Sequence, residues 1–131
     1  MTRIAVLGAG KIGEALLSGL LAAGSTTADL VFTERHPERA AELSGRLGVA
    51  AVGVVEAAAH AEMIVVAVKP QDIAPVLAEL GPAVRPGTLV VSLCAGLPTA
   101  LFEGALPAGT PVVRVMPVSY THLTLPTTPY V

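Results

Sequence analysis

The residues best placed to do chemistry are Gly8, Gly10 and Gly13, spaced Gly-x-Gly-x-x-Gly, and a few charged side chains at the ends of later apolar runs: Glu34, Arg35 and His36, then Lys69. The glycines follow the apolar run Ile4-Ala5-Val6-Leu7 and open into a stretch, 14–21, that is apolar at helical spacing. They therefore sit where a strand hands over to a helix. At such a junction Gly8 lets the chain turn sharply, Gly10 leaves no Cβ between the backbone and a phosphate, and Gly13 lets the helix pack closely on the strand. The N–H groups of the first helical turn and the positive end of the helix dipole then face an anion. The same spacing also occurs in a bare strand-to-helix turn, but the strand before it and the helix after it favour a dinucleotide site.

Two features bear on which dinucleotide. Glu34 ends the second apolar run about 20 residues beyond Gly13, where an acid accepts hydrogen bonds from the adenosine ribose hydroxyls, as in NAD sites. Arg35, with His36 beside it, is suited to pair bidentately with the 2′-phosphate of NADP, provided that Glu34 turns to solvent or pairs with Arg35. A third reading makes Glu34, Arg35, Glu38 and Arg39 the solvated start of a helix. Spacing alone leaves the three open. Lys69 ends another apolar run, 65–68, and Pro70 fixes the turn after it, which places the ammonium near the nicotinamide half of a bound dinucleotide or simply in solvent. Small residues at Cys94-Ala95-Gly96 let the backbone approach a flat ring. Cys94 has no activating neighbour in sequence and is read as a packed side chain, and His60 and His122 as surface or tail residues. No residue is assigned as a catalytic group, and none as a metal ligand.

The elements that must position these residues alternate. Strands are expected over 3–7, 30–33, 49–52, 63–68, 89–93 and 112–115, and helices over 11–23, 37–47, 55–61, 73–80 and 99–103. Pro37 suits a first helical position, and Gly48 and Gly24 suit helix ends. Uncharged strand runs such as 88–93 belong inside a sheet covered on both faces. The expected fold is α/β, a doubly wound parallel sheet of Rossmann type, in a single domain.

Composition agrees. The chain has 131 residues, a formal net charge of −2 and 53% hydrophobic residues, with a mean hydropathy of +0.70. Eight Lys and Arg against ten Asp and Glu give no basic face for nucleic acid or an anionic membrane. Pro and polar residues interrupt the longest uncharged runs, so no membrane span is expected. One cysteine excludes an internal disulfide. Without a signal-peptide layout, the cytoplasm is the expected compartment. The nucleotide-binding unit is expected over 1–117. Residues 118–131 hold both tyrosines, four threonines and no charge, and are expected to be a disordered or non-native tail.

With these loops in hand the chain resembles the pyrroline-5-carboxylate reductase family, in its N-terminal dinucleotide-binding domain. The resemblance runs from 3 to 117 and rests on Ile4 to Ala15, Glu34-Arg35-His36-Pro37-Glu38, Val66-Ala67-Val68-Lys69-Pro70, Val91 to Leu97 and Val113-Arg114-Val115-Met116-Pro117. The Ala-Val-Lys-Pro and Ser-x-x-Ala-Gly blocks carry more specificity than the glycines. The resemblance implies hydride transfer from NAD(P)H to the C=N bond of 1-pyrroline-5-carboxylate, giving L-proline, in proline biosynthesis. It implies NADP(H) as the preferred cofactor with NAD(H) possible, and nicotinamide-side contacts from 67–70 and 94–96. The expected cofactor-binding set is Leu7, Gly8, Ala9, Gly10, Lys11, Ile12, Gly13, Glu34, Arg35, His36, Ala67, Val68, Lys69, Pro70, Cys94, Ala95 and Gly96.

Two departures accompany the resemblance. The family continues Asn-Thr-Pro after Met116-Pro117, where this chain has Val118-Ser119-Tyr120, and the family's helical second domain, with its dimer contacts and much of the imine pocket, has no counterpart here. The expected result is a chain that binds cofactor without turning over, and a homo-oligomer only with that second domain. A β-hydroxyacid-type dehydrogenase and a non-catalytic nucleotide-binding module are the rival readings.

Overall fold

The structure, a computed structural model, describes residues 2–93 and 98–115. Six strands form one parallel sheet in the order β3-β2-β1-β4-β5-β6. They are β1 (Ile4–Leu7), β2 (Leu30–Thr33), β3 (Ala50–Ala51), β4 (Met63–Val66), β5 (Leu89–Ser92) and β6 (Val112–Arg114). Between them lie α1 (Lys11–Ala22), α2 (Pro37–Leu47), α3 (Val54–His60), α4 (Ile73–Leu80) and α5 (Thr99–Ala105). Strand order reverses between β1 and β4, and in such sheets the crevice beyond the strand tips at that reversal receives ligands.

Alternation within β1 shows how the sheet is covered. Ala5 and Leu7 join the core beneath α3, α4 and α5, with Ile64, Leu77 and Phe102, whereas Ile4 and Val6 join Leu17 of α1 and Leu43 of α2 on the other face. All four β1 residues are buried, which is why the strand reads as an unbroken apolar run. β5 pairs with both β4 and β6, so the uncharged run around it does lie inside the sheet.

Element types follow the expectation; the ends differ for local reasons. β4 stops at Val66, two residues early, because its neighbour β1 stops at Leu7, the residue opposite. One more bond, Ala67 N–H to the Leu7 carbonyl at 2.8 Å, closes the ladder, and a 3-10 turn begins at Pro70. β3 shrinks to Ala50–Ala51, though Val52 still donates to the Phe32 carbonyl at 2.8 Å. α5 runs two residues further than expected, to Ala105. Pro37 opens α2 and Gly48 closes it in the left-handed conformation, φ 75°, as their positions predict. Among the described residues no helix is long and apolar enough to cross a membrane. Residues 118–131, including His122, and the Cys94-Ala95-Gly96 site lie outside the described residues.

Candidate functional site

The glycine turn is built by close approach. Gly8 has φ +97°, and a Cβ there would stand 2.9 Å from the Ala67 carbonyl oxygen and from two atoms of Val68, so the β4 tip leaves no room for a side chain. Its N–H donates to the Thr33 carbonyl at 3.1 Å, tying the turn to β2. Gly13 is buried in α1, and a Cβ there would overlap the Gly8 carbonyl. The turn and the helix thus lock together through two missing side chains. Gly10 differs: it caps α1 in an extended conformation, and among the described residues a Cβ on it would meet no atom within 4 Å and would stand in open space.

That space is a cavity of about 530 Å³ above the β1/β4 reversal. It brings together the expected residues Gly8, Ala9, Gly10, Glu34, Arg35, His36, Ala67, Val68 and Lys69. Leu7 is fully buried below it; Lys11, Ile12, Gly13 and Pro70 do not line it, and the Ile12 side chain is exposed. Sequence reading missed a second wall. Val52 and Gly53 before α3, Val54 at its start, and Asp72, Pro75, Val76 and Glu79 at α4 line the cavity too. Their apolar members read as ordinary core positions, and only the tertiary fold brings them to the same cavity as the glycines.

Polar contacts resolve the Glu34–Arg35 ambiguity in an unexpected way. Glu34 neither turns to solvent nor pairs with Arg35. One oxygen accepts from Ala9 N–H at 3.3 Å; the other accepts from His36 N–H at 3.1 Å and lies 2.9 Å from His36 Nδ1. Burial alone would raise its pKa, but these His36 and Ala9 contacts prevail and hold it below the usual carboxylate range. Arg35 pairs instead with Asp72 at 2.8 Å and keeps 69% of its side chain exposed. Arg39, which one of the open readings placed at a solvated helix start, lines the cavity and donates from Nε to the Ala9 carbonyl at 3.2 Å. The clue was its place one helical turn beyond Arg35; the contact itself, 30 residues away in sequence, was not readable. His60, read as a surface residue, is half-buried, its Nε2 lying 3.3 Å from the Asp29 carbonyl, away from the cavity.

A parallel sheet with reversed strand order, a glycine turn at the reversal and an acid on the adjacent strand tip, all opening on one cavity, define a doubly wound Rossmann-type domain. Residues 3–96 match the family described as NADP oxidoreductase, coenzyme F420-dependent, and the chain belongs to that family. Within it, the chain is 48% identical over 123 residues to the pyrroline-5-carboxylate reductase of Mycobacterium tuberculosis, an alignment covering 89% of this chain and 42% of that protein. It is 39% identical over 116 residues to the enzyme of the same name from Pseudomonas aeruginosa, covering 88% and 42%. Among solved structures, the pyrroline-5-carboxylate reductase of Coxiella burnetii superposes with a TM-score of 0.84 at 29% identity, over 90% of this chain and 44% of that one. The Plasmodium falciparum pyrroline carboxylate reductase with NADP bound gives 0.74 at 25% identity, over 88% and 42%. The resemblance carried by the motifs is borne out. The chain spans less than half the length of these relatives.

Proposed function

We propose that this chain is the cofactor-binding portion of a pyrroline-5-carboxylate reductase, and that residues 1–117 form its nucleotide-binding unit. The observation that carries the reading is the convergence of the glycine turn, the Glu34–His36 strand tip and the Ala67–Lys69 loop on one cavity. The residues fit a dinucleotide: Gly10 lines the cavity and leaves open space where a Cβ would stand, and the N–H groups of Lys11, Ile12 and Gly13 precede the first intrahelical bond, from Glu14 N–H to the Gly10 carbonyl at 2.8 Å. Lys11 and Ile12 serve through this backbone, Leu7 and Gly13 by supporting the turn. The second wall, from Val52 to Val76, offers an apolar slot for the adenine ring.

The bound cofactor supplies the hydride that reduces the C=N bond of 1-pyrroline-5-carboxylate to L-proline. The chain's task is to hold the nicotinamide end in place, a role we give to Ala67, Val68 and Lys69, which line the cavity, and, on the resemblance alone, to Pro70 and to Cys94, Ala95 and Gly96, the last three outside the described residues; orientation of this kind contributes on the order of 7 to 11 kcal/mol in favourable cases. The small imine is held by the longer protein that the relatives represent, as is any homo-oligomer contact. The relative with NADP bound supports NADP(H) as the cofactor. Glu34 meets neither condition set by the sequence reading, but Ala9 and His36 hold it in place of Arg35, and the Arg35–Asp72 pair is exposed and worth at most about 1 kcal/mol, so Arg35 can still turn to a 2′-phosphate at little cost. NAD(H) lacks that contact and instead presents its free ribose hydroxyls to Glu34.

Titration of the chain with NADPH and NADH by calorimetry tests the reading. Saturable binding of both is expected, NADPH more tightly, and Arg35→Ala should lower the NADPH affinity about tenfold while sparing NADH. An unchanged ratio removes Arg35 from the 2′-phosphate role, and no binding of either cofactor removes the function.

A further inference from the structure

Arg39 and Glu14 have no place in the cofactor reading so far, yet they carry the tightest polar cluster among the described residues. All three nitrogens of the Arg39 guanidinium are committed: Nε to the Ala9 carbonyl at 3.2 Å, Nη2 to Glu14 Oε1 at 2.7 Å and Nη1 to Glu42 Oε1 at 3.1 Å. The second Glu14 oxygen accepts from Arg46 Nη1 at 2.7 Å, and Arg46 Nε donates to Glu42 at 2.7 Å. Two carboxylates and two guanidiniums thus form a closed ring joining the first turn of α1 to α2, with one arm reaching into the glycine turn. Hydrogen bonds first from Arg46 and then from Arg39 hold the Glu14 carboxyl below its usual range, so it stays charged.

A charged carboxylate in the first turn of α1 is a liability for a phosphate site. It suits the helix dipole, but it competes with an incoming phosphate for the same positive pole. We propose that Arg39, backed by Arg46, is a positioning clamp: it fixes the glycine turn through the Ala9 carbonyl and neutralises Glu14, so that the pyrophosphate of a dinucleotide can approach the amino terminus of α1. The proposal rests on the dinucleotide reading above and adds to it a residue that acts through others. A guanidinium with every nitrogen engaged is held in one orientation, which a planar fork does and an ammonium does not. Arg35, with a single partner and most of its surface in solvent, is its opposite.

The clamp is tested by titrating NADPH and NADH into the chain and into Arg39→Met, Arg39→Lys and the double variant Arg39→Met/Glu14→Gln, with thermal midpoints recorded alongside. Because the pyrophosphate is common to both cofactors, Arg39→Met should weaken both by about tenfold and leave their ratio unchanged. Removing the Glu14 charge as well should restore both to within about threefold of the unaltered chain, a rescue that a merely structural role would not give. Arg39→Lys, which keeps a charge near Glu14 but cannot bridge to Ala9 at the same time, should fall between, and it carries the test if Arg39→Met fails to fold. Undiminished affinity in Arg39→Met, a loss confined to NADPH, or no rescue by Glu14→Gln would each overturn the clamp while leaving the cofactor site standing. If the unaltered chain binds neither cofactor, the dinucleotide reading and the clamp fall together.

Discussion

Replacing Gly10 and Gly13 separately by alanine divides what the glycine turn does for the fold from what it does for a ligand. At Gly10 the backbone is extended, φ −75° and ψ −164°, and among the described residues a Cβ meets no atom within 4 Å. Gly10→Ala gains about 0.4 to 1 kcal/mol by restricting the unfolded chain and loses a similar amount because alanine is a poorer helix cap. Its stability should therefore stay within about 1 kcal/mol of the parent, a shift in thermal midpoint of no more than roughly 5 °C. The new methyl, however, stands in the cradle proposed for the pyrophosphate. Overpacking of that kind costs about 1 to 3 kcal/mol, which corresponds to a tenfold to hundredfold weaker NADPH. Gly13→Ala should behave in the reverse order. Its Cβ overlaps the Gly8 carbonyl, a backbone atom fixed by the tip of β4, so α1 must shift, and the chain should lose roughly 1 to 3 kcal/mol by urea denaturation before any ligand is added. Urea curves and NADPH calorimetry on the two variants decide the matter. Gly10→Ala binding NADPH like the parent would refute the placing of the phosphate at this turn, whatever happens to Gly13→Ala.

The remaining predictions concern the packing and charge around the turn. Leu17, fully buried between α1 and the sheet, should cost about 2 to 5 kcal/mol when cut to alanine, read as a lower urea midpoint. Glu14, Glu34, Glu42 and Glu62 all have carboxyls held below their usual range. Each therefore contributes stability that is present above the ordinary carboxylate pKa of about 4.3 and is lost as pH falls through the lower folded values, because the unfolded chain binds protons first. Urea midpoints should fall steadily below that pH, and Glu14→Gln should flatten the fall; a midpoint insensitive to acid would contradict the contacts.

The fold was legible because a parallel sheet buried on both faces writes itself as apolar runs, and Pro37, Gly48 and Gly24 mark helix ends wherever they occur. Strand lengths were less legible, since the end of β4 depends on where β1 turns away at Gly8, and no local signal at Val66 carries that. The site divided in the same way. Glycines and strand-tip residues have a fixed relation to their own element, so Gly8, Glu34 and Lys69 could be singled out as candidates from spacing, and the structure brings them to one cavity. The partners of those residues are tertiary. Glu34 bonding to Ala9, Arg35 choosing Asp72, and Val54 and Val76 lining one cavity all join segments that sequence separation hides.

Arg35 and Arg39 show what that hidden layer decides. They sit four residues apart at the same strand-to-helix junction, carry the same group and line the same cavity, and the sequence singled out Arg35 while leaving Arg39 only as a charge at the start of a helix. Partner number distinguishes them. One exposed ion pair leaves Arg35 mobile at small cost, which suits a residue that must turn to whichever phosphate arrives. Three engaged nitrogens leave Arg39 no such freedom, and a group that cannot reorient can only set the positions of others, here Ala9 and Glu14. On the proposed reading, cofactor choice belongs to Arg35 and cofactor capture to Arg39, so the ratio of NADPH to NADH affinity should respond to the first and the affinity for both to the second.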